Sequence, residues 1–276
     1  MSDQEIRDFA VEYISAALHK VSPSHLQKVL SQRFPIDTRR ARERIRHLLA
    51  AGELAYSYEY GTSYLDISPR RPLRVGDHIV VLPPGIDNHL ATSPADAVVR
   101  IAPGAAFGSG RHPSTRLALR AVDAVIAGAG GRLSGKESIL FDIGTGSGIL
   151  AIAALHLGIE RAVGIDPDPC ARAEARENAA VNGLAARFLV TDQTLSQVPD
   201  SDRFTIVTAN LRYPTLRQLG EWIGAHLAPG GSLVLAGIKC DEQADLLAVY
   251  GREGFSCHWR AAEKGWVGLA LRHDCG

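Results

Sequence analysis

The first fifty residues space their apolar side chains at helical intervals. Ile6, Phe9, Ala10, Tyr13, Ile14, Ala17 and Leu18 form one stripe, which predicts a helix over residues 4–20. Ser22-Pro23 opens a second helix, 24–33, with Leu26, Val29 and Leu30 inward. A serine caps the free N–H groups there, and proline suits the first helical position. A third helix, 38–51, starts at Thr38 and stops at Gly52, a C-cap glycine. The period then shortens to two. Residues 54–67 read as two short strands around Gly61, with tyrosines on one side. Pro69-Arg70-Arg71-Pro72 is a linker in this reading, two prolines flanking two charges. It separates an N-terminal domain, residues 1–68, from a larger one, residues 73–276.

The larger domain begins with two extended runs, Ile79-Val80-Val81-Leu82 and Ala97-Val98-Val99-Arg100-Ile101, with Pro83-Pro84-Gly85 between them. A glycine-rich loop holding Gly108 and Gly110 leads into a helix near Pro113, with Leu117, Ala118 and Ala121 inward. From Ile139 onward, short apolar runs alternate with helical stretches. Strands are expected at 139–143, 163–166, 187–191, 205–209 and 232–238, and helices from 149, at 168–182, 215–227 and 241–253. A turn falls at Pro229-Gly230-Gly231, and two last runs, 255–260 and 267–272, are joined by a short turn around Gly265. Near-continuous apolar strands are those of a parallel sheet covered on both faces. The fold predicted is therefore α/β, a doubly wound seven-stranded Rossmann-like sheet whose last strand is antiparallel.

Composition narrows the classes. Thirty basic and thirty acidic residues cancel, so no whole-molecule field favours nucleic acid. Cys170, Cys240, Cys257 and Cys275 are scattered, without a C-x-x-C pair, which argues against a zinc site or a disulfide framework, and no metal is expected. The acidic start, Met1-Ser2-Asp3-Gln4-Glu5, is unlike a signal peptide, and no apolar run reaches the roughly eighteen residues of a membrane span. A cytoplasmic protein with no membrane partner is expected.

The densest chemistry lies in Asp142-Ile143-Gly144-Thr145-Gly146-Ser147-Gly148-Ile149. Three glycines in five positions let backbone approach a ligand, and the helix that follows presents free N–H groups. A dinucleotide fingerprint needs a small residue where Ile149 stands. The spacing is instead D-x-G-x-G-x-G, and a carboxylate before the loop suits a cationic amino-acid ligand better than a pyrophosphate. Asp166 ends the next strand, twenty residues after Gly146, where an acid can take both hydroxyls of a ribose. Together these features point to S-adenosylmethionine. Asp192 ends the third strand in the same manner and joins Asp142, Gly144, Gly146 and Asp166 as a candidate cofactor residue. Ser114 and Thr115 sit in the first turn of their helix, and His112 just before it is read as a capping or structural histidine rather than a base.

The third helix holds Arg39, Arg40, Arg42, Arg44 and Arg46 against one acid, Glu43. Three helices followed by a hairpin resemble a winged helix, with residues 38–51 as recognition helix and 55–66 as wing. Such a module docks protein or nucleic acid, or packs against a second subunit. Asp3, Glu5, Asp8 and Glu12 nearly balance the arginines, so protein docking is favoured over nucleic acid.

Residues 97–272 resemble class I S-adenosylmethionine-dependent methyltransferases, and more narrowly the PrmA family that modifies the large-subunit stalk protein L-eleven. The resemblance is carried by Ala106-Phe107-Gly108-Ser109-Gly110-Arg111-His112-Pro113-Ser114-Thr115, by Asp142–Ile152, by Gly164-Ile165-Asp166-Pro167-Asp168-Pro169 and by Ala209-Asn210-Leu211. It implies cofactor contacts at Thr115, Gly144, Asp166 and Asn210. It also implies an N-methyltransferase acting on a protein amine, with the loop Asn210–Arg212 bordering the transferred methyl and its carbonyls aligning the amine. No residue stands out as an obligatory base. The chain departs from the family in three places. A winged helix stands where the family has a small α/β domain, Arg212 replaces a leucine, and Leu82-Pro83-Pro84-Gly85 lacks the usual tryptophan. The alternatives are a small-molecule or RNA methyltransferase, and a DNA-binding regulator whose second domain only senses the cofactor.

Overall fold

The computed structural model describes residues 2–17, 19–59, 61–86, 93–94, 96–128 and 135–273; Leu18 and Cys275, named above, lie outside them. Contacts divide the chain between Arg71 and Pro72 into two compact units.

In the first unit, α1 (Asp3–Ala16) starts at a capping box formed by Ser2 and Glu5. Ser22 caps α2 (Pro23–Arg33), accepting from the His25 N–H, and Asp37 caps α3 (Thr38–Ala50), accepting from the Arg40 N–H. The strands β1 (Leu54–Glu59) and β2 (Thr62–Ile67) pair antiparallel, Leu54 opposite Ile67 and Glu59 opposite Thr62. The first helix ends at Ala16 rather than 20. Ala17 is already extended, and the chain continues to Val21, whose carbonyl accepts from the Leu65 N–H in an isolated antiparallel bridge. Ile6, Ala10 and Ile14 of α1, Leu26 and Leu30 of α2, Ala41, Ile45 and Leu48 of α3, and Leu54 and Leu65 of the hairpin close one core.

The second unit opens with a small sheet of β3 (Leu73–Val75), β4 (Ile79–Leu82) and β5 (Ala97–Arg100), the first pair antiparallel and the second parallel. Helix α4 (Pro113–Gly128) follows, then β6 (Gly135–Ile143), α5 (Ile149–His156), β7 (Ile159–Ile165), α6 (Pro169–Val181), β8 (Phe188–Thr191) and β9 (Phe204–Asn210). The unit ends with α7 (Tyr213–Leu216), α8 (Gly220–His226), β10 (Leu227–Lys239), α9 (Gln243–Arg252), β11 (Phe255–Glu263) and β12 (Trp266–His273). Seven strands form one sheet in the order β11-β12-β10-β9-β6-β7-β8. The last strand, β12, runs antiparallel to both neighbours, as expected, and slots between β10 and β11.

Burial on both faces explains the apolar runs. Leu140 of β6 joins the core on one side of the sheet and Phe141 the core on the other, where it stacks on Phe204 at 4.4 Å between ring centroids. Helix α5 is buried from Ile149 through Leu155, an all-apolar helix inside a covered sheet. Two expectations are corrected. The single helix at 215–227 is two short ones, because Gln218 and Leu219 donate to carbonyls three residues back and tighten the chain out of the α ladder. The turn at 229–231 is an irregularity within β10, between Leu227 opposite Phe204 and Ser232 opposite Ile206.

Asp123 fastens the small sheet to α4. Only 4% exposed, its carboxylate accepts from the Asp77 and His78 N–H groups at 2.8 and 3.0 Å and bonds His78 Nδ1 at 2.7 Å. Asp123→Ala leaves these donors without their acceptor, and each buried donor so stranded costs about 1–3 kcal/mol. Urea denaturation is expected to show a loss of about 2–5 kcal/mol, on that scale for two or more donors. A loss below about 1 kcal/mol would mean water replaces the carboxylate freely.

Candidate functional site

The candidate residues gather at the C-terminal ends of the parallel strands, where open α/β sheets bind ligands. The chain leaves β6 through Asp142 and turns at once, because the Gly144 and Thr145 N–H groups both donate to the Ile165 carbonyl at 2.9 Å. Gly144 lies beneath Leu211, whose Cδ2 would stand 2.5 Å from a Cβ there. Gly146 has φ +54°, and a Cβ on it would come within 2.4 Å of the Phe107 carbonyl oxygen. Backbone packs on backbone here, and only glycine allows it.

Asp142 is 1% exposed. Thr145 Oγ1 donates to one of its oxygens at 2.7 Å and Thr208 Oγ1, from β9, to the other at 2.6 Å. Burial pushes its pKa up to about 6, and the nearby Asp166 charge adds to the rise, against the pull of the two hydroxyls. The carboxylate therefore lies directly under the loop as a charge held by neighbours.

Asp166, half-buried just beyond β7, accepts from the Gly146 N–H at 2.9 Å and, through its other oxygen, from the Asp168 N–H at 2.9 Å. Each carboxylate oxygen keeps a further lone-pair direction for a hydroxyl donor. Asp192 follows β8 with its side chain 77% exposed, and its nearest cation is Arg172 at 3.8 Å. Arg172 also donates to the Asp166 and Pro167 carbonyls, tying the two strand ends together.

Thr115 and Asn210 meet although 95 residues separate them. Asn210 Nδ2 donates to Thr115 Oγ1 at 3.4 Å, while Asn210 Oδ1 is buried with no hydrogen-bond partner among the described residues. A buried acceptor without a donor costs about 1–3 kcal/mol, so this atom is shaped for a ligand N–H or O–H. The Arg212 carbonyl already accepts from the Thr215 and Leu216 N–H groups, so it is not free to align an amine, and the Leu211 carbonyl oxygen lies against Gly237, 2.2 Å from where a Cβ would stand. His112 caps α4: its Nδ1 accepts from the Ser114 N–H at 3.2 Å and lies 2.8 Å from Ser114 Oγ. Burial and the charges of Arg116 and Lys239 lower its pKa, so the ring is neutral at pH 7.

Sequence reasoning missed the side chains that hold the loop ahead of Phe107. Helix α6 presents Glu174 and Asn178, and its C-cap Asn182 continues the interval of four. Glu174 accepts from the Ala105 and Ala106 N–H groups, Asn178 from Ala102 at 3.0 Å and Asn182 from Arg100 at 2.9 Å. Asn178 also donates to the Ser147 carbonyl at 2.9 Å, and Ser147 donates from its N–H to Phe107 and from Oγ to Gly108. The loops 100–108 and 144–148 are thus one hydrogen-bonded body. The only sequence signal was a polar stripe at helical spacing, which resembles a solvated face.

Comparison with known proteins covers this unit. Residues 68–274 match the family model described as ribosomal protein L11 methyltransferase (PrmA). The ribosomal protein L11 methyltransferase of Geobacter sulfurreducens is 36% identical over 203 residues, 74% of this chain and 63% of that protein. That of Xylella fastidiosa is 41% identical over 200 residues, 71% of this chain and 62% of that protein. The crystal structure of a ribosomal protein L11 methylase from Lactobacillus delbrueckii subsp. bulgaricus superposes with a TM-score of 0.63 at 26% identity, covering 74% of this chain and 98% of that one. The matched segment thus spans about three fifths of the curated relatives' length. The family match leaves residues 1–67 outside.

Asp142 makes stability depend on pH in a sense opposite to most carboxylates. Its folded pKa, about 6, lies above the unfolded value of 3.8, so between these values the native state binds more protons. Stability from this group is greatest below about pH 4 and is lost as pH rises through 6, by about 3 kcal/mol. Asp142→Asn removes this dependence. Urea denaturation at pH 4.5 and 7 is expected to show the variant gaining on the wild type toward pH 7; a pH-independent difference would place the Asp142 pKa near 4.

Proposed function

This chain belongs to the ribosomal protein L11 methyltransferase (PrmA) family, and from that premise we propose that it transfers a methyl group from S-adenosylmethionine to an amine of ribosomal protein L11. The observation that carries the reading is Asn210 Oδ1, buried without a partner beside Thr115 and the glycine loop. A neutral amine offers the N–H that this oxygen lacks.

The residues present fit the cofactor. Gly144 and Gly146 allow close approach, Asp166 retains acceptor capacity for ribose hydroxyls, Asp142 places negative charge under a cationic ligand, and Thr115, Asn210 and Asp192 border the same strand ends. When bound, S-adenosylmethionine supplies a methyl group already activated by its sulfonium. The chain's own work is alignment and exclusion of water. In-line attack needs the nitrogen about 3–3.5 Å from the methyl carbon. The acceptor must also arrive deprotonated, against a free lysine pKa of about 10.4. Asn210 Oδ1 accepts an N–H and so points the nitrogen lone pair. Bound there, the cofactor would supply the methyl group and its sulfur would keep the electron pair of the broken bond, while the aligned nitrogen would release its proton to solvent.

The N-terminal unit is the docking module for the protein substrate in this reading. Arg39, Arg40, Arg42 and Arg46 are exposed on α3, yet Arg39 pairs with Glu43 and Arg44 with Asp3, so part of the basic face is neutralised internally. Among the described residues no helix is long and apolar enough to cross a membrane.

Two measurements test this. Asp166→Ala is expected to weaken S-adenosylmethionine binding at least tenfold in calorimetry, since a hydrogen bond to a charged group contributes about 1.5–3 kcal/mol. Unchanged affinity would place the ribose elsewhere. A chain of residues 72–276 is expected to bind the cofactor as the whole chain does and to lose methylation of L11. Full activity of that shortened chain, or tight duplex binding by residues 1–71 with a steep salt dependence, would overturn the docking role.

A further inference from the structure

Beside the site runs a row of aromatic rings. Phe107, 53% exposed on the loop over Gly146, meets the His112 ring edge-on at 5.2 Å. His112 in turn meets Trp266 edge-on at 4.8 Å. Trp266 opens β12 directly opposite Lys239, the last residue of β10. Lys239 Nζ sits over the indole, 3.6 Å from the ring centroid. Among the described residues no carboxylate forms an ion pair with that ammonium. The hydrogen bonds of this residue to Glu242 run through its backbone: the N–H donates to the Glu242 carboxylate at 2.7 Å and the carbonyl accepts from the Glu242 N–H at 3.1 Å.

We propose that the face of Trp266 is the subsite that receives the acceptor's alkylammonium group, and that Lys239 covers it until the acceptor displaces it. This rests on the reading of L11 as acceptor. The occupant defines the chemistry, because an alkylammonium is what the chain itself already places on the ring. Indole is the best of the aromatic faces for a cation, and the attraction is worth about 0.5–2 kcal/mol depending on desolvation. The row leads from there to the loop over Gly146 through His112, which adds no competing charge at pH 7 because its Nδ1 is an acceptor for Ser114. Lys239 is exposed and held by the ring alone, so an incoming ammonium replaces one cation–π contact by another at little net cost. The subsite recruits the charged amine; the step to the neutral amine takes place beyond it, beside Asn210.

Kinetics with recombinant L11 and a binding titration test the proposal together. Lys239→Met removes the competitor and is expected to lower KM for L11 about twofold to thirtyfold, with kcat unchanged, matching the range of the lost contact. Trp266→Leu removes the acceptor's contact and the competing one together, so KM is expected to stay near the wild-type value, and the double variant is expected to behave like Trp266→Leu alone. In cofactor-free protein, titration of Lys239→Met with N-acetyl-lysine amide is expected to shift tryptophan emission at lower concentration than in wild type, with no shift in the double variant. An unaltered KM for Lys239→Met, an effect of Lys239→Met that persists without Trp266, or an emission shift that survives Trp266→Leu each overturns the subsite. Probe binding with this pattern in a protein that leaves L11 unmethylated supports the subsite and counts against the L11 reading instead.

Discussion

The catalytic end of the sheet depends on a contact between two stretches of bare backbone. The Ser147 N–H reaches the Phe107 carbonyl at 2.9 Å only because Gly146, next to it, presents no side chain. Remove that closeness and the loop over the site has nothing to rest on. With it, the turn from β6 to α5, the segment before α4 and the polar side chains of α6 share one network. Thr115 and Asn210, 95 residues apart in sequence, are then held at hydrogen-bond distance.

Charge in this region is managed by neighbours rather than by solvent. Asp142 is shut away and satisfied by two threonine hydroxyls, Asp166 by two backbone N–H groups. His112, flanked by Arg116 and Lys239, stays uncharged. In a medium of low effective dielectric these fixed dipoles and charges act over short distances with little screening. The site is preorganised in the sense that its polar groups need not turn when a ligand arrives, apart from Asn210 Oδ1, which is waiting for a donor.

Most elements were legible because the sheet is buried on both faces, which writes each parallel strand as an apolar run such as Ile139–Ile143. The glycine loop and the strand-end acids were legible because they are contiguous motifs. What escaped depends on chain geometry that a linear pattern does not carry. Leu216, Leu219 and Ile223 keep helical spacing straight through the break between α7 and α8, since tightening the hydrogen bonds by one residue scarcely moves the apolar face. Thr208, Glu174 and Trp266 matter through partners distant in sequence, and Lys239 meets Trp266 only because of the register between β10 and β12. Arg212 was expected to lend its carbonyl to the site, but a helix start claims it.

Helix α6 acts on the loop before Phe107 as a ruler. Glu174, Asn178 and Asn182 grip backbone at residues 105–106, 102 and 100, so helix and loop run past each other in opposite senses. A slip of one residue would misplace all the contacts at once, because the Ile101 N–H already donates to the Leu82 carbonyl and Pro103 has no N–H to offer. The segment therefore has no partly shifted state of low energy. It leaves the helix as a whole or stays, an all-or-none behaviour that three short polar side chains impose without any hinge built for the purpose.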